Sequence, residues 1–128
     1  MIGKTINYLL TQDSTLVQLV GTKIYPYVAP NNTELPCIVY KINTLTPFYT
    51  KGGWGNDVIN FSVFSFHPHY DDLQAIYTRV RAALELKTTG YGSQSIGQIR
   101  LESQDEGFEL EGNLFYNVLN FNVTVNTY

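Results

Sequence analysis

The chain has 128 residues, a size that suits one domain on one core. Its 44% hydrophobic and 15% charged residues argue against a disordered chain. A net charge of −3, with eight scattered Lys/Arg and no basic patch, argues against tight, sequence-independent nucleic-acid binding.

In chain order, the opening stretch lacks an unbroken apolar run and a small-residue cleavage site, so no signal peptide is read there. Ile2, Ile6, Leu9 and Leu10 recur at helical spacing and predict an amphipathic helix over 2–11. Asp13 or Ser14 is placed to cap a short second turn carrying Leu16, Val17, Leu19 and Val20, stopped by Gly21. The stretch KIYPYV reads as extended, with Pro26 confining it to a sheet edge or a bend. A turn-rich segment, APNNTELP, then leads into the β-branched run CIVYKINTL, which opens directly after Pro36.

Residues 46–57, TPFYTKGGWGND, hold three glycines, a proline and the only tryptophan, and predict a long, mobile hairpin loop. VINFSVFSF reads as the returning strand. Leu73, Ile76, Tyr77, Val80, Ala83 and Leu84 form one apolar stripe over a helix at 73–86. TTGYGSQS breaks that helix, IGQIRLES is a further strand, QDEGFELEG an acidic turn, and NLFYNVLNFNVTVN a closing strand of strict alternation. The order α-β-β-β-α-β-β predicts one α+β domain over 1–128, with helices packed on a mostly antiparallel β-sheet.

Three places carry residues that could do chemistry. The only two histidines, His67 and His69, flank Pro68 and precede Asp71 and Asp72. On a continued strand they would share a face and could bind zinc in a metal-dependent hydrolase. Pro68 ends the strand, however, and the ligand set is incomplete. The two aspartates suit the first turn of a helix, where negative charge meets the positive end of the dipole. Cys37 falls near Phe66 and His67 if the hairpin pairs symmetrically, which allows a Cys–His pair but no identifiable third group. A lone cysteine beside Pro36 and Ile38 reads better as a small core residue. It cannot close an internal disulfide, which fits a reducing cytoplasm. KGGWG lacks the spacing of a phosphate loop and precedes a strand, not a helix. The expectation is therefore no catalytic residue, no metal and no cofactor.

The abundant aromatics, 14% of the chain and ten of them Tyr, suit surfaces that are covered on assembly. Tyr25, Tyr27, Phe48, Tyr49 and Trp54 are the interface candidates. Taken together, Leu19-Val20-Gly21, Ile24-Tyr25-Pro26, Leu35-Pro36 and Ile38-Val39-Tyr40 follow the pattern of one known family. A V-x-x-F-S-V-F strand running into the Leu73–Leu84 stripe and FELEGNLFYNVLNFNVTV near the end continue it. In joint order and spacing these segments resemble the bacteriophage tail-terminator (tail-completion) family of long-tailed phages, prophages and gene-transfer agents. One departure stands out: the strand before the helix ends in Phe66-His67-Pro68-His69, where the family commonly has a tryptophan-containing segment.

The resemblance implies a virion structural protein, assembled in the bacterial cytoplasm as a hexameric ring at the head-proximal end of the tail. Its implied partners are the tail-tube protein and the head connector or adaptor, with DNA passing through the ring without specific binding. A head–tail joining protein is the alternative within the same class. The acidic cluster Glu102, Asp105, Glu106, Glu109 and Glu111 is expected to face that channel or its rim, keeping the bore non-adhesive.

Overall fold

Apolar stripes and turn residues divide the chain into eight elements. The structure, a computed structural model, describes residues 2–30, 33–49, 55–88 and 96–126. In order they are α1 (Ile2–Gln12), α2 (Ser14–Val20), β1 (Ile24–Pro26), β2 (Cys37–Tyr49), β3 (Gly55–His67), α3 (Tyr70–Leu84), β4 (Arg100–Glu109) and β5 (Leu114–Asn126).

Each helix is set by its own local chemistry. In α1, Ile2, Thr5, Ile6, Leu9 and Leu10 are buried along one side. α2 is a full helix, where a short turn was expected. Asp13 caps it, with Oδ1 accepting from the Leu16 N–H at 2.9 Å. Gly21 ends α2 at φ 63°, a conformation a side chain would disfavour, and its N–H reaches the Val17 carbonyl at 2.7 Å. α3 carries Asp71 and Asp72 in its first turn and buries Leu73, Ile76, Val80, Ala83 and Leu84. After it, Leu86 at φ 64° donates to the Ile99 carbonyl at 2.7 Å and so fastens the helix end to the segment before β4.

The strands form one five-stranded sheet in the order β1-β2-β3-β5-β4. β1 pairs in parallel with the start of β2, and all other pairs are antiparallel. β1 is three residues long and ends at Pro26, so the expectation of proline on a sheet edge holds. Beyond Tyr40, β2 has no neighbour on its outer side among the described residues. Cys37 stands opposite Phe66, as symmetric pairing requires.

The helices cover one face of the sheet. Ile38, Tyr40, Ile59, Phe61, Val63, Leu119, Phe121 and Val123 lie beneath them in one core with α1, α2 and α3. At its centre Phe61 and Phe121, opposite each other on β3 and β5, stack with ring centroids 5.3 Å apart. Alternation puts Val39, Phe64, Phe66, Val118, Asn120 and Asn122 on the other face, which no helix covers.

Three further sequence expectations are corrected. The loop over 46–57 is for the most part a paired hairpin: Thr46–Tyr49 pairs with Gly55–Val58, down to Tyr49 opposite Gly55. Backbone bonds to the partner strand outweigh the local turn composition. Residues 50–54, including Trp54, lie outside the described residues. The acidic segment is likewise no turn over most of its length. Glu102, Asp105, Glu106 and Glu109 belong to edge strand β4, held by pairing with β5, and the turn itself spans 110–113 with Glu111 in it. The strand expected from Ile96 begins at Arg100, preceded by a single bridge from Ile96 to Val125.

Candidate assembly surfaces

Strands β2 and β3 run the length of the sheet, and their two ends differ. At the hairpin end Leu45, Phe48 and Tyr49 are 53%, 59% and 69% exposed. By alternation Leu45 and Tyr49 lie on the helix side of this finger and Phe48 on the helix-free side, so apolar groups are exposed on both its faces, which makes it a candidate interaction surface. Gly55 closes the finger, because a Cβ there would sit 2.1 Å from the Phe48 carbonyl oxygen.

At the opposite end the helix-free face forms a groove of about 830 Å³. Val39, Phe64 and Phe66 line its floor, the segment from Tyr27 to Pro30 one wall, and Gly112 and Leu114 the other. Lys41 and Glu109 are the charged groups that line it. Tyr27 and Val28 stand out on its rim, 61% and 75% exposed. Tyr27 has φ 63°, held by its own N–H on the Tyr40 carbonyl at 2.8 Å and by the Val28 N–H on the Pro26 carbonyl at 2.7 Å. A bulky residue in this conformation is costly, so its surroundings must impose it.

Between the two ends the same face is polar and internally bonded. Asn43 Nδ2 donates to Ser62 Oγ at 2.7 Å, Ser62 Oγ to Asn120 Oδ1 at 2.5 Å, and Asn120 Nδ2 to Ser103 Oγ at 2.9 Å. This row crosses β2, β3, β5 and β4. Asn60 to Thr44 and Asn122 to Glu102 form parallel rungs at 3.0 and 2.8 Å. The signal for it was present in the sequence as Asn, Ser and Thr at alternate positions, but it names no function until the strands are paired.

The interface candidates therefore separate. Phe48 and Tyr49 share the finger, Tyr27 stands on the groove rim, and half-buried Tyr25 lies in β1 opposite Val39. The acidic candidates separate too. Glu102 meets Asn122 on the helix-free face, whereas the Tyr70 hydroxyl donates to Glu106 on the helix side at 3.0 Å. By alternation Asp105 and Glu109 join Glu102.

The histidine stretch is a strand-to-helix junction. His69 is the N-cap of α3 and makes no side-chain cap bond. Instead His67 Nδ1 accepts from the His69 N–H at 2.9 Å, and its Nε2 lies 3.9 Å from Asp72. Burial pushes the His67 pKa down, partly opposed by the Asp72 carboxylate, with His69 adding to the fall. Among the described residues, no three or more His, Cys, Asp or Glu side chains gather to hold a metal. Cys37 is buried, and burial pushes its thiol up, the reverse of what an activated thiolate requires.

Known proteins place this architecture. The chain superimposes on a solved chain from "Virion of native gene transfer agent (GTA) particle" with a TM-score of 0.83, covering 95% of this chain and 92% of that one. Identity is 16%, so the likeness speaks for the fold alone. Among curated proteins the sequence finds no match. The profile of the family described as "Tail completion protein gp17" matches residues 4–126. That span covers nearly the whole domain, and the chain belongs to this family of phage tail completion proteins, structural components of the virion tail.

Proposed function

We propose that the chain is the subunit of a ring that caps the tail tube, stops its polymerisation and offers the joining surface to the head connector. The observation that carries this reading is the pair of unlike apolar surfaces at opposite ends of β2 and β3, the finger and the groove. A subunit with two different contact surfaces makes head-to-tail contacts, and such contacts close into rings when the rotation per subunit divides a full turn. Family membership supplies the tail. Within the ring, Glu102, Asp105 and Glu109 on the helix-free face of β4, with Glu111 in the adjoining turn, would face the bore or its rim. There, negative charge would keep passing DNA from sticking. Glu106, bonded to Tyr70, leaves that set.

The test is loss of the protein from the phage that encodes it. A capping ring predicts abnormally long tails without heads. Tails of normal length that fail to join heads would indicate a joining role in its place. Native mass spectrometry of the purified protein, alone and with tail tubes, reads the number of subunits directly.

A further inference from the structure

We propose that the finger formed by Leu45, Phe48 and Tyr49 seats in the groove of a second copy, over Phe64 and Phe66 and against Tyr27 and Val28. This rests on the ring reading above and names the contact that builds it.

The two surfaces cannot meet within one molecule. Phe48 lies well along β2 from Val39 in the groove floor, which at about 3.3 Å per residue puts roughly 30 Å between them. A contact between them must therefore join two chains, and charge favours a second copy. At −3 per chain, most approaches between copies bring like charges together. The finger is the exception: the described residues from Ile42 to Asn56 carry no charge, and the one charge of that stretch of sequence, Lys51, is positive. The groove offers an apolar floor with one positive and one negative group, Lys41 and Glu109, beside it. Seating the finger thus buries aromatic surface without stranding an ion, the arrangement of an apolar interface centre inside a polar rim.

Two further observations point to this contact. Tyr27 is kept at positive φ in an exposed position on the groove rim. Strain maintained on an exposed aromatic marks a residue presented for binding. Among the described residues no strand flanks the outer side of β2 beyond Tyr40 to obstruct the finger's approach.

Phe48, Val28, Tyr49 and Leu110, the last in the turn after β4, are all exposed, so substitutions there leave the fold intact. Phe48→Glu and Val28→Lys should each raise the protein concentration needed for rings by at least about tenfold, as removal of an interface anchor does. The chain carrying both should recover, because each glutamate finger then meets a lysine rim. In a Cys37→Ala background, mixed chains with Tyr49→Cys and with Leu110→Cys should be joined by a short bis-maleimide only across unlike chains. Rings that assemble normally in both single variants, or a double variant no better than the singles, overturn the contact and leave the ring reading standing. Joining of the Tyr49→Cys chain to the tube protein in place of a second copy overturns it as well. If the unaltered protein stays monomeric at every concentration and on tail ends, the ring reading falls, and this contact with it.

Discussion

Arg79 Nη2 lies 2.7 Å from Asp13 Oδ2, joining the middle of α3 to the residue that caps α2. Asp13 is the better buried partner, its side chain 8% exposed against 42% for Arg79. Its two oxygens do separate work, one holding the Leu16 N–H and the other the guanidinium. Asp13→Ala should therefore cost about 1–3 kcal/mol at neutral pH, the sum of a lost cap and a half-exposed ion pair. Asp13→Asn, which retains the cap, should cost about 1 kcal/mol or less. Urea denaturation of both variants measures the difference.

The same carboxylate gives an acid dependence. Burial works against its charge, but the Leu16 N–H and the Arg79 guanidinium outweigh burial and hold its pKa below the ordinary 3.8. The folded state thus releases this proton more readily than the unfolded one. Its contribution is complete above pH 3.8 and is lost as pH falls through the lower folded value. The stability gap between the parent and Asp13→Asn should accordingly narrow below that pH.

His67 gives a second pH effect of the same sign. Its pKa in the fold is lowered, chiefly by burial, so below the ordinary 6.5 the unfolded chain binds the proton more readily. Stability is full above 6.5 and declines as pH falls through the folded value. Protonation would also remove the acceptor that the His69 N–H uses. His67→Asn keeps an acceptor and does not titrate, so its stability should be flatter between pH 7 and 5. Thermal unfolding at several pH values checks this.

The polar row across the open face should behave as one unit. Asn120 accepts from Ser62, which is 3% exposed, and donates to Ser103. Asn120→Ala removes the acceptor of the buried Ser62 O–H, leaving only the Asn43 bond to that hydroxyl, and should cost about 1–3 kcal/mol. A double-mutant cycle with Ser62→Ala should show the two losses to be less than additive.

Gly55→Ala tests the hairpin end. The added Cβ would meet backbone of Phe48, which cannot swing aside as a side chain can. The expected result is faster amide exchange over Thr46–Tyr49 and Asn56–Val58 with little change at Phe61 or Phe121. Exchange in the parent as fast as in an open loop would contradict the paired hairpin.

Much of this architecture is legible from residue patterns. Stripes such as Leu73, Ile76, Val80 and Leu84 mark their own helix, because burial on one side imposes a period of 3.6. Pro26 marks its edge, and Cys37 and Phe66 fall opposite each other as symmetric pairing requires. The hairpin end and β4 escape such reading for one reason. Pro47 and the glycines resemble a loop, and Gln104–Glu109 is rich in poor strand formers. In both, the deciding bonds come from a partner strand distant in sequence or across the hairpin. The groove is invisible for the same reason: Tyr27 and Phe64 are far apart in the chain and meet only once β1, β2 and β3 are side by side.

The place of β5 in the sheet sets the order of events in folding. It lies between β3 and β4 and matches β3 over twelve residue pairs, from Asn56–Asn126 to His67–Phe115, although all of α3 and β4 intervene in sequence. The β2–β3 hairpin can zip locally within microseconds, whereas β5 must first close a long loop and displace nothing already in place. Until it does, Phe61 lacks Phe121 and the inner edge of β3 is bare. The early species is then a hairpin with two open edges, the kind that pairs wrongly with its neighbours at high concentration. Refolding yield should fall with protein concentration, and mutations in β5 should slow folding more than equally destabilising ones in α1.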